Sequence, residues 1–443
     1  MTGWWSSSTE VEVPRGRRIA GTVRPPSSKS LTHRALALAL LGRQPTVVVR
    51  PLEAEDTNLF LAALRALEFR VETFANGIAI EPPKVLPSTA DLFCGNAGTM
   101  FRLVAAIAAT LPGRYRIDGV ERLRERPIHP LTGALQRLGV RIEFEKSEGH
   151  APLIVEGGRL EGGSVELDAS ASSQYVSALL LAGQRATSPL EISAPALVSG
   201  PYVDLTVGMI ERFGGRVEAR GGNRWISHPS DLRPTEVEIE ADFSAAAYPA
   251  AAAAITGGEV RIDAVAGTSR QGDRRFFDLL QAMGATVTWT ATGAIVAGGR
   301  HGSAGSAGSG LHAITADLSD IPDQVPTLAA LAPFARGTTR IENVAHLRVK
   351  ESDRLAAMTS ELRRVGAEVE ELAGGLVIPG IWAESPPPDS PVAVEAHGDH
   401  RIAMAMALVG LRRPGVGIQD PRCVGKSYPD FWRDLARLCG DAE

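Results

Sequence analysis

The stretch PPSSKSLTHRALALALLG, from Pro25 to Gly42, decides how the rest of the chain is read. A turn-like polar head is followed at once by an Ala/Leu run, which predicts a helix opening near Lys29. Lys29, Ser30 and Arg34 fall in or just before its first turn. The first backbone N–H groups of a helix lack internal acceptors, and the macrodipole is positive there. Such an end receives an anion, more readily with Lys and Arg beside it.

The phrase is the first of six. GTMFRLVAAIAATLPG, SSQYVSALLLAG, SAAAYPAAAAAITGG, PDQVPTLAALAPFARG and HRIAMAMALVGLRRPG repeat its plan of an Ala-rich helix ending near glycine. A second phrase follows each at about half a period: LRALEFRVE, LQRLGVRIE, IERFGGRVE, LQAMGATVT, LRRVGAEVE and a worn copy, LARLCGDAE. Its copies begin at 64, 135, 210, 280, 362 and 435, at intervals of 71, 75, 70, 82 and 73 residues. Each reads as the end of an amphipathic helix, a glycine-type stop and an alternating strand. Six copies of one helix-and-strand unit must pack together to bury their apolar faces, as a ring or as two groups of three. Arg220–Pro234, Gly298–Gly310 and Trp382–Pro391 read as polar or surface loops.

At 443 residues and 44% hydrophobic, the chain can fill two or more sizeable cores. The net charge of −5 gives no global signal for nucleic acid. Three widely spaced cysteines without a CxxC pair fit a reducing cytoplasm. No apolar run is suited to spanning a bilayer, and the N-terminus lacks the marks of a signal peptide, so a soluble cytoplasmic protein without membrane or nucleic-acid partners is expected. Only five lysines stand against 41 arginines. Lys29, Lys350 and Lys426, each in a dense polar motif, are therefore places where a compact ammonium matters.

The helix heads carry the chemistry. They hold Lys29, Ser30 and Arg34; Asn96, Gly98, Thr99 and Arg102; Ser172, Ser173 and Gln174; Asp242 and Ser244; Asp320 and Asp323; and Asp399, His400 and Arg401. Ser, Asp and Asn are ordinary N-caps. Lys29, Arg34, Arg102 and Arg401 instead oppose the helix dipole, a conflict that a bound anion would remove. Between the helices lie Arg126 in ERPIHP, Ser199 and Tyr202 in SGPY, Lys350, Glu351 and Arg354 in LRVKESDRL, and Lys426 in VGKSYPDF. So many cations suit a substrate bearing phosphate and carboxylate groups. Asp323 and Glu351 are then the candidate proton-transfer groups. HGDHR invites a metal reading through His397, Asp399 and His400, but neighbouring positions at a helix start converge poorly on one ion, so no metal is expected.

Taken in order, SKSLTHRA, GNAGTMFR, ERPI, SASSQY, SGPYVD, DIPDQVPTLA, LRVKESDRL, GDHRIAMA and KSYPDFW resemble the enolpyruvyl transferase family, and most closely its members acting on shikimate 3-phosphate. The resemblance runs from Lys29 to Trp432. It implies an α/β (α+β) fold, a two-domain inside-out α/β barrel with three βαβαββ repeats in each domain. The first domain would cover residues 25–243, the second 1–24 with 244–443, and the active-site cleft would lie between them. The implied reaction transfers the carboxyvinyl group of phosphoenolpyruvate to the 5-hydroxyl of shikimate 3-phosphate by addition and elimination. It needs no metal or cofactor, serves aromatic amino acid biosynthesis, and is expected of a monomer that glyphosate inhibits.

By the same resemblance, Lys29, Ser30, Arg34, Ser172, Ser173, Gln174, Ser199, Tyr202, Asp323 and Lys350 would hold shikimate 3-phosphate. Lys29, Asn96, Gly98, Arg126, Gln174, Arg354, His400, Arg401 and Lys426 would hold phosphoenolpyruvate. Lys29, Asp323, Glu351 and Lys426 would be catalytic, Asp323 taking the hydroxyl proton and Glu351 protonating the methylene carbon. The chain departs from the family pattern at Ser27–Ser28, at Phe101 and at His346–Leu347. Rival readings are transfer to UDP-N-acetylglucosamine, transfer to another hydroxylated ring acid, and a non-catalytic six-unit scaffold. The first is disfavoured because Pro112–Pro127 lacks the cysteine of that sister family, and the last leaves the helix-head cations unexplained.

Overall fold

The computed structural model describes residues 9–14, 18–233, 236–299 and 310–441. The chain forms two compact units, Ser27–Glu240 and Met1–Pro26 with Ala241–Glu443. Each encloses its own apolar core.

The Ser27–Glu240 unit holds three four-stranded mixed sheets built to one plan. Thr89–Phe93 runs parallel to Gly113–Asp118, which pairs antiparallel with Leu153–Gly157, and Arg141–Phe144 completes the hairpin. Parallel neighbours need a crossover connection, and the head helix Gly98–Ala108 supplies it. A second helix, His129–Arg137, precedes the hairpin and completes the βαβαββ order. The same plan surrounds the head helices Lys29–Leu41 and Gln174–Gly183. In the first repeat the parallel edge strand comes from afar, since Glu236–Glu238 pairs with Thr46–Val49.

The other unit repeats the plan around Phe243–Thr256, Val325–Leu331 and His400–Gly410. The N-terminal segment serves two of its sheets. Ala20–Val23 lies parallel to Glu259–Asp263, and Glu10–Glu12 lies antiparallel to Val416–Gln419. The worn closing phrase explains the second pairing. After Phe431–Leu438 no strand follows among the described residues, and Glu10–Glu12 lines the sheet of that last repeat instead.

Small side chains let the head helices be buried on almost every side. All residues from Leu31 to Leu41, and from Phe243 to Ile255, are buried. Such helices belong inside a core rather than on its surface. The closing phrases end their helices with a left-handed residue, as at Gly139 (φ 87°) and Gly284 (φ 102°). Glycine reaches this conformation without strain. In the first repeat Glu68 takes it at φ 63°, at a cost of about 1–2 kcal/mol.

The expected loop Arg220–Pro234 is corrected. Residues 220–223 form a hairpin turn with Gly221, Gly222 and Asn223 all at positive φ, and Arg224–His228 returns antiparallel to Arg216–Ala219. A Gly-Gly-Asn turn between alternating strands is a strong hairpin signal. Pro234 itself, and residues 300–309 of the loop at Gly298–Gly310, lie outside the described residues.

Candidate functional site

The candidate residues fall into two sets, one in each unit. In the Ser27–Glu240 unit, Lys29 is the first helical residue, and Ser28 before it makes no side-chain cap. Ala97 and Ser173, at the other two heads of this unit, make none either. Among the six heads, Asp242 and Asp399 cap with their side chains, accepting from the backbone N–H of Ala245 and Arg401, and Ser172 Oγ accepts from the Gln174 N–H at 3.3 Å. Ordinary capping thus accounts for half of the six heads. The Lys29 ammonium lies 3.6 Å from the buried Asp56 carboxylate, at the start of the next helix.

Arg34 brings together three groups of expected ligands. Its Nε donates to Thr206 Oγ1 at 2.7 Å, and its terminal nitrogens donate to the carbonyls of Ser30 (2.9 Å) and Tyr202 (2.8 Å) and to Ser177 Oγ (3.4 Å). Burial pushes its guanidinium down to about 10, still cationic at neutral pH. Of five N–H donors four are engaged, leaving one for a ligand. The carbonyls and hydroxyls therefore resolve much of the dipole conflict that the sequence assigns to an anion.

Arg102 has a similar bracing task. It donates to Gln174 Oε1 at 2.9 Å and to the carbonyls of Gly98 and Pro127, while Gln174 Nε2 donates to Thr99 Oγ1 at 2.9 Å. Gln174 is thereby fixed at both ends. Arg126 is buried, with its NH1 3.3 Å from the Asn96 carbonyl. It also lies close against Gly98, where an added Cβ would meet the guanidinium at 2.4 Å. The loop carrying Arg126 is pinned by Asp118, which accepts from Arg124 Nε and NH2 at 2.9 and 2.8 Å. Partial burial opposes ionisation of Asp118, but bonds from Arg124, Gly119 and Arg116 outweigh it and hold the carboxyl below its usual range.

In the other unit Arg354, buried at the first turn of Arg354–Arg364, binds three carboxylates. Its NH1 donates to Asp323 Oδ1 at 2.8 Å, its NH2 to Glu351 Oε2 at 3.0 Å, and its Nε to Asp399 Oδ2 at 2.7 Å. Arg401 donates from NH2 to the second Asp323 oxygen at 2.6 Å. Burial would raise the Asp323 pKa, but Arg401, Arg354 and Lys350 outweigh it and hold the carboxyl well below the carboxylate range. Asp323, Glu351, Arg354 and Arg401 thus form one charged group. His400 is wholly buried beside them in sequence, and Lys426 ends a short turn packed on the His400–Gly410 helix.

His346, where the chain departs from the family pattern, is buried, and its Nε2 has no hydrogen-bond partner among the described residues. Burial, with Lys350 adding repulsion against a weaker pull from Asp323, pushes the imidazole from 6.5 down to about 3. The folded state therefore binds fewer protons than the unfolded chain between these values. Stability is full above the upper value and is lost as pH falls toward the lower one, by up to about 1.4 kcal/mol per pH unit. His346→Asn is predicted to remove one proton's worth of this slope in denaturant titrations between about pH 6 and 4. An unchanged slope would contradict the assignment.

The sequence alone does not single out Asp56 and Asp118. Asp56 sits among helix-starting acids in EAEDTN, a pattern indistinguishable from dipole complementation. Within HGDHR, Asp399 serves the arginines and His397 binds Glu361, so their side chains go to different partners.

The profile of the family described as EPSP synthase (3-phosphoshikimate 1-carboxyvinyltransferase) matches residues 13–435. The 3-phosphoshikimate 1-carboxyvinyltransferase of Syntrophobacter fumaroxidans is 42% identical over 93% of this chain and 96% of its own length. That of Nitrosomonas europaea is 39% identical over 97% and 98%. The solved EPSP synthase of Acinetobacter baumannii superposes with a TM-score of 0.79 at 28% identity, covering 98% of each chain.

Proposed function

The chain belongs to the EPSP synthase (3-phosphoshikimate 1-carboxyvinyltransferase) family, and on that footing we propose that it moves the enolpyruvyl group of phosphoenolpyruvate onto the 5-hydroxyl of shikimate 3-phosphate. The products are 5-enolpyruvylshikimate 3-phosphate and phosphate. The observation that carries the reading at residue level is Asp323 bound between Arg354 and Arg401. An internal carboxylate already engages the cations assigned to an anionic substrate.

In this reading the two residue sets act on one substrate pair. Lys29, Ser30, Arg34, Ser172, Ser173, Gln174, Ser199, Tyr202, Lys350 and Asp323 hold shikimate 3-phosphate. Lys29, Asn96, Gly98, Arg126, Gln174, Arg354, His400, Arg401 and Lys426 hold phosphoenolpyruvate. As its anionic groups draw on Arg354 and Arg401, the bonds to Asp323 weaken and its affinity for a proton rises, which suits it to accept the 5-hydroxyl proton. The hydroxyl oxygen bonds to C2 of phosphoenolpyruvate while C3 takes a proton from Glu351 or a lysine beside it. Loss of that C3 proton and of phosphate then restores the double bond. Lys29, Arg126 and Lys426 supply fixed positive charge for the departing phosphate. The reaction asks for no cofactor.

We place the reaction in the cytoplasm, in a monomer. Among the described residues Cys94, Cys423 and Cys439 form no disulfide, which suits a reducing compartment. Among the described residues no helix is long and apolar enough to cross a membrane.

Phosphorus NMR of the protein with both substrates tests the proposal. The phosphoenolpyruvate signal should give way to inorganic phosphate, and its persistence would contradict the reading. Gly98→Ala is predicted to raise the KM for phosphoenolpyruvate about tenfold or more, because the guanidinium of Arg126 must move to admit the methyl group. An unchanged KM would remove Gly98 and Arg126 from that subsite. Glyphosate is expected to compete with phosphoenolpyruvate for the same cations.

A further inference from the structure

His397 stands in HGDHR beside the anion-binding arginines, yet the proposed reaction gives it no task. Its Nε2 lies 2.9 Å from Glu361 Oε1. Glu361 belongs to Arg354–Arg364, and its side chain is 0% exposed. Its other oxygen accepts from the Glu395 backbone N–H at 3.1 Å and forms an ion pair with Arg364, 2.9 Å from its Nε. A carboxylate only accepts, so the imidazole Nε2–H donates. His397 is also left-handed at φ 54°, followed by Gly398 at φ 62°. A non-glycine residue holds that conformation at a cost, and only where its surroundings fix it.

We infer that Glu361 and His397 are positioning residues that set the Arg354–Asp399–Arg401 group by pinning the turn before it. The helix Arg354–Arg364 grips this segment at two points. Arg354 binds Asp399 directly, at 2.7 Å from Nε to Oδ2 and 3.3 Å from NH2 to Oδ1. Seven residues later, about two turns along the same face, Glu361 holds the backbone of Glu395 and the ring of His397. Asp399, two residues beyond His397, accepts from the Arg401 N–H at 3.0 Å and so seats the head of His400–Gly410. A turn released at 395–397 would carry Asp399 with it and loosen both arginines. The complete burial of Glu361 and its bond to a backbone N–H distinguish the pin from a screened surface ion pair.

The inference rests on the reading that Arg354 and Arg401 receive phosphoenolpyruvate, and its test has one arm independent of that reading. His397→Asn tolerates left-handed backbone but is shorter than the imidazole. His397→Gln restores a longer amide donor, and Arg364→Ala removes the exposed partner of the same carboxylate. In the unliganded protein, hydrogen exchange over residues 399–403 should quicken about 5–10-fold in His397→Asn alone, the scale of one lost hydrogen bond. The KM for phosphoenolpyruvate should rise by a similar factor, with kcat and the KM for shikimate 3-phosphate within about twofold, and His397→Gln should recover most of the loss. Exchange in His397→Asn equal to wild type would overturn the pin. Quickened exchange with both KM values and kcat impaired alike would reduce it to general destabilisation. If the wild-type protein turns over neither substrate, the reaction reading fails while the exchange comparison still decides the pin.

Discussion

Lys29→Met is expected to lower kcat by about 10³-fold, while far-UV circular dichroism remains that of the wild-type fold. Lys29 opens a helix whose first turn lacks a side-chain cap, and its side chain is 15% exposed beside the buried Asp56. Methionine keeps the length and apolar stem but carries neither charge nor N–H. The substitution thus deletes a fixed cation where the phosphate charge develops, in a setting where such charges act more strongly than in water. The rest of the helix is unaffected, since Leu31 to Leu41 remain packed in the core. Loss of the Asp56 partner costs some stability, seen as a melting point lowered by a few degrees. Activity within tenfold of wild type would refute the role given to this helix head.

Asp323→Asn separates chemistry from anion binding. The amide keeps the shape and one acceptor oxygen, but it cannot take the hydroxyl proton. A fall in kcat of about 10²–10⁴-fold is expected, the usual contribution of a positioned general base. Asp323 is also the internal counter-ion of Arg354 and Arg401. Neutralising it leaves both arginines more available, so the KM for phosphoenolpyruvate should stay level or fall even as kcat collapses. A rise in that KM with kcat intact would mean that Asp323 positions the arginines and takes no part in proton transfer.

The six-unit plan was legible because it is written twice in each repeat, as an Ala-rich helix and as a glycine-stopped strand. Local physics dictates both, so Gly139 and Gly284 stand where the sequence places the stop. What could not be read was any pairing made across the chain. Glu10–Glu12 beside Val416–Gln419 and Ala20–Val23 beside Glu259–Asp263 leave no local signal in so short a segment. The hairpin at 220–228 reads as a loop despite its Gly-Gly-Asn turn, because the strands beside that turn are short and largely polar.

The charged residues of the site were legible as types at helix heads, but their partners were not. Arg34 and Arg102 read as ligand cations, whereas much of their hydrogen bonding goes to carbonyls, hydroxyls and Gln174. Glu361 lies on an amphipathic helix among other charged residues, and only the fold shows it wholly buried against His397. Asp118 likewise reads as a strand-end acid until Arg124 is seen to close on it.

The central claim is tested most directly by the initial rate of phosphate release from phosphoenolpyruvate with shikimate 3-phosphate as acceptor, set beside UDP-N-acetylglucosamine at equal concentration. Release with shikimate 3-phosphate and none above background with the nucleotide sugar is the predicted result. No release with shikimate 3-phosphate, or faster release with UDP-N-acetylglucosamine, would contradict the account.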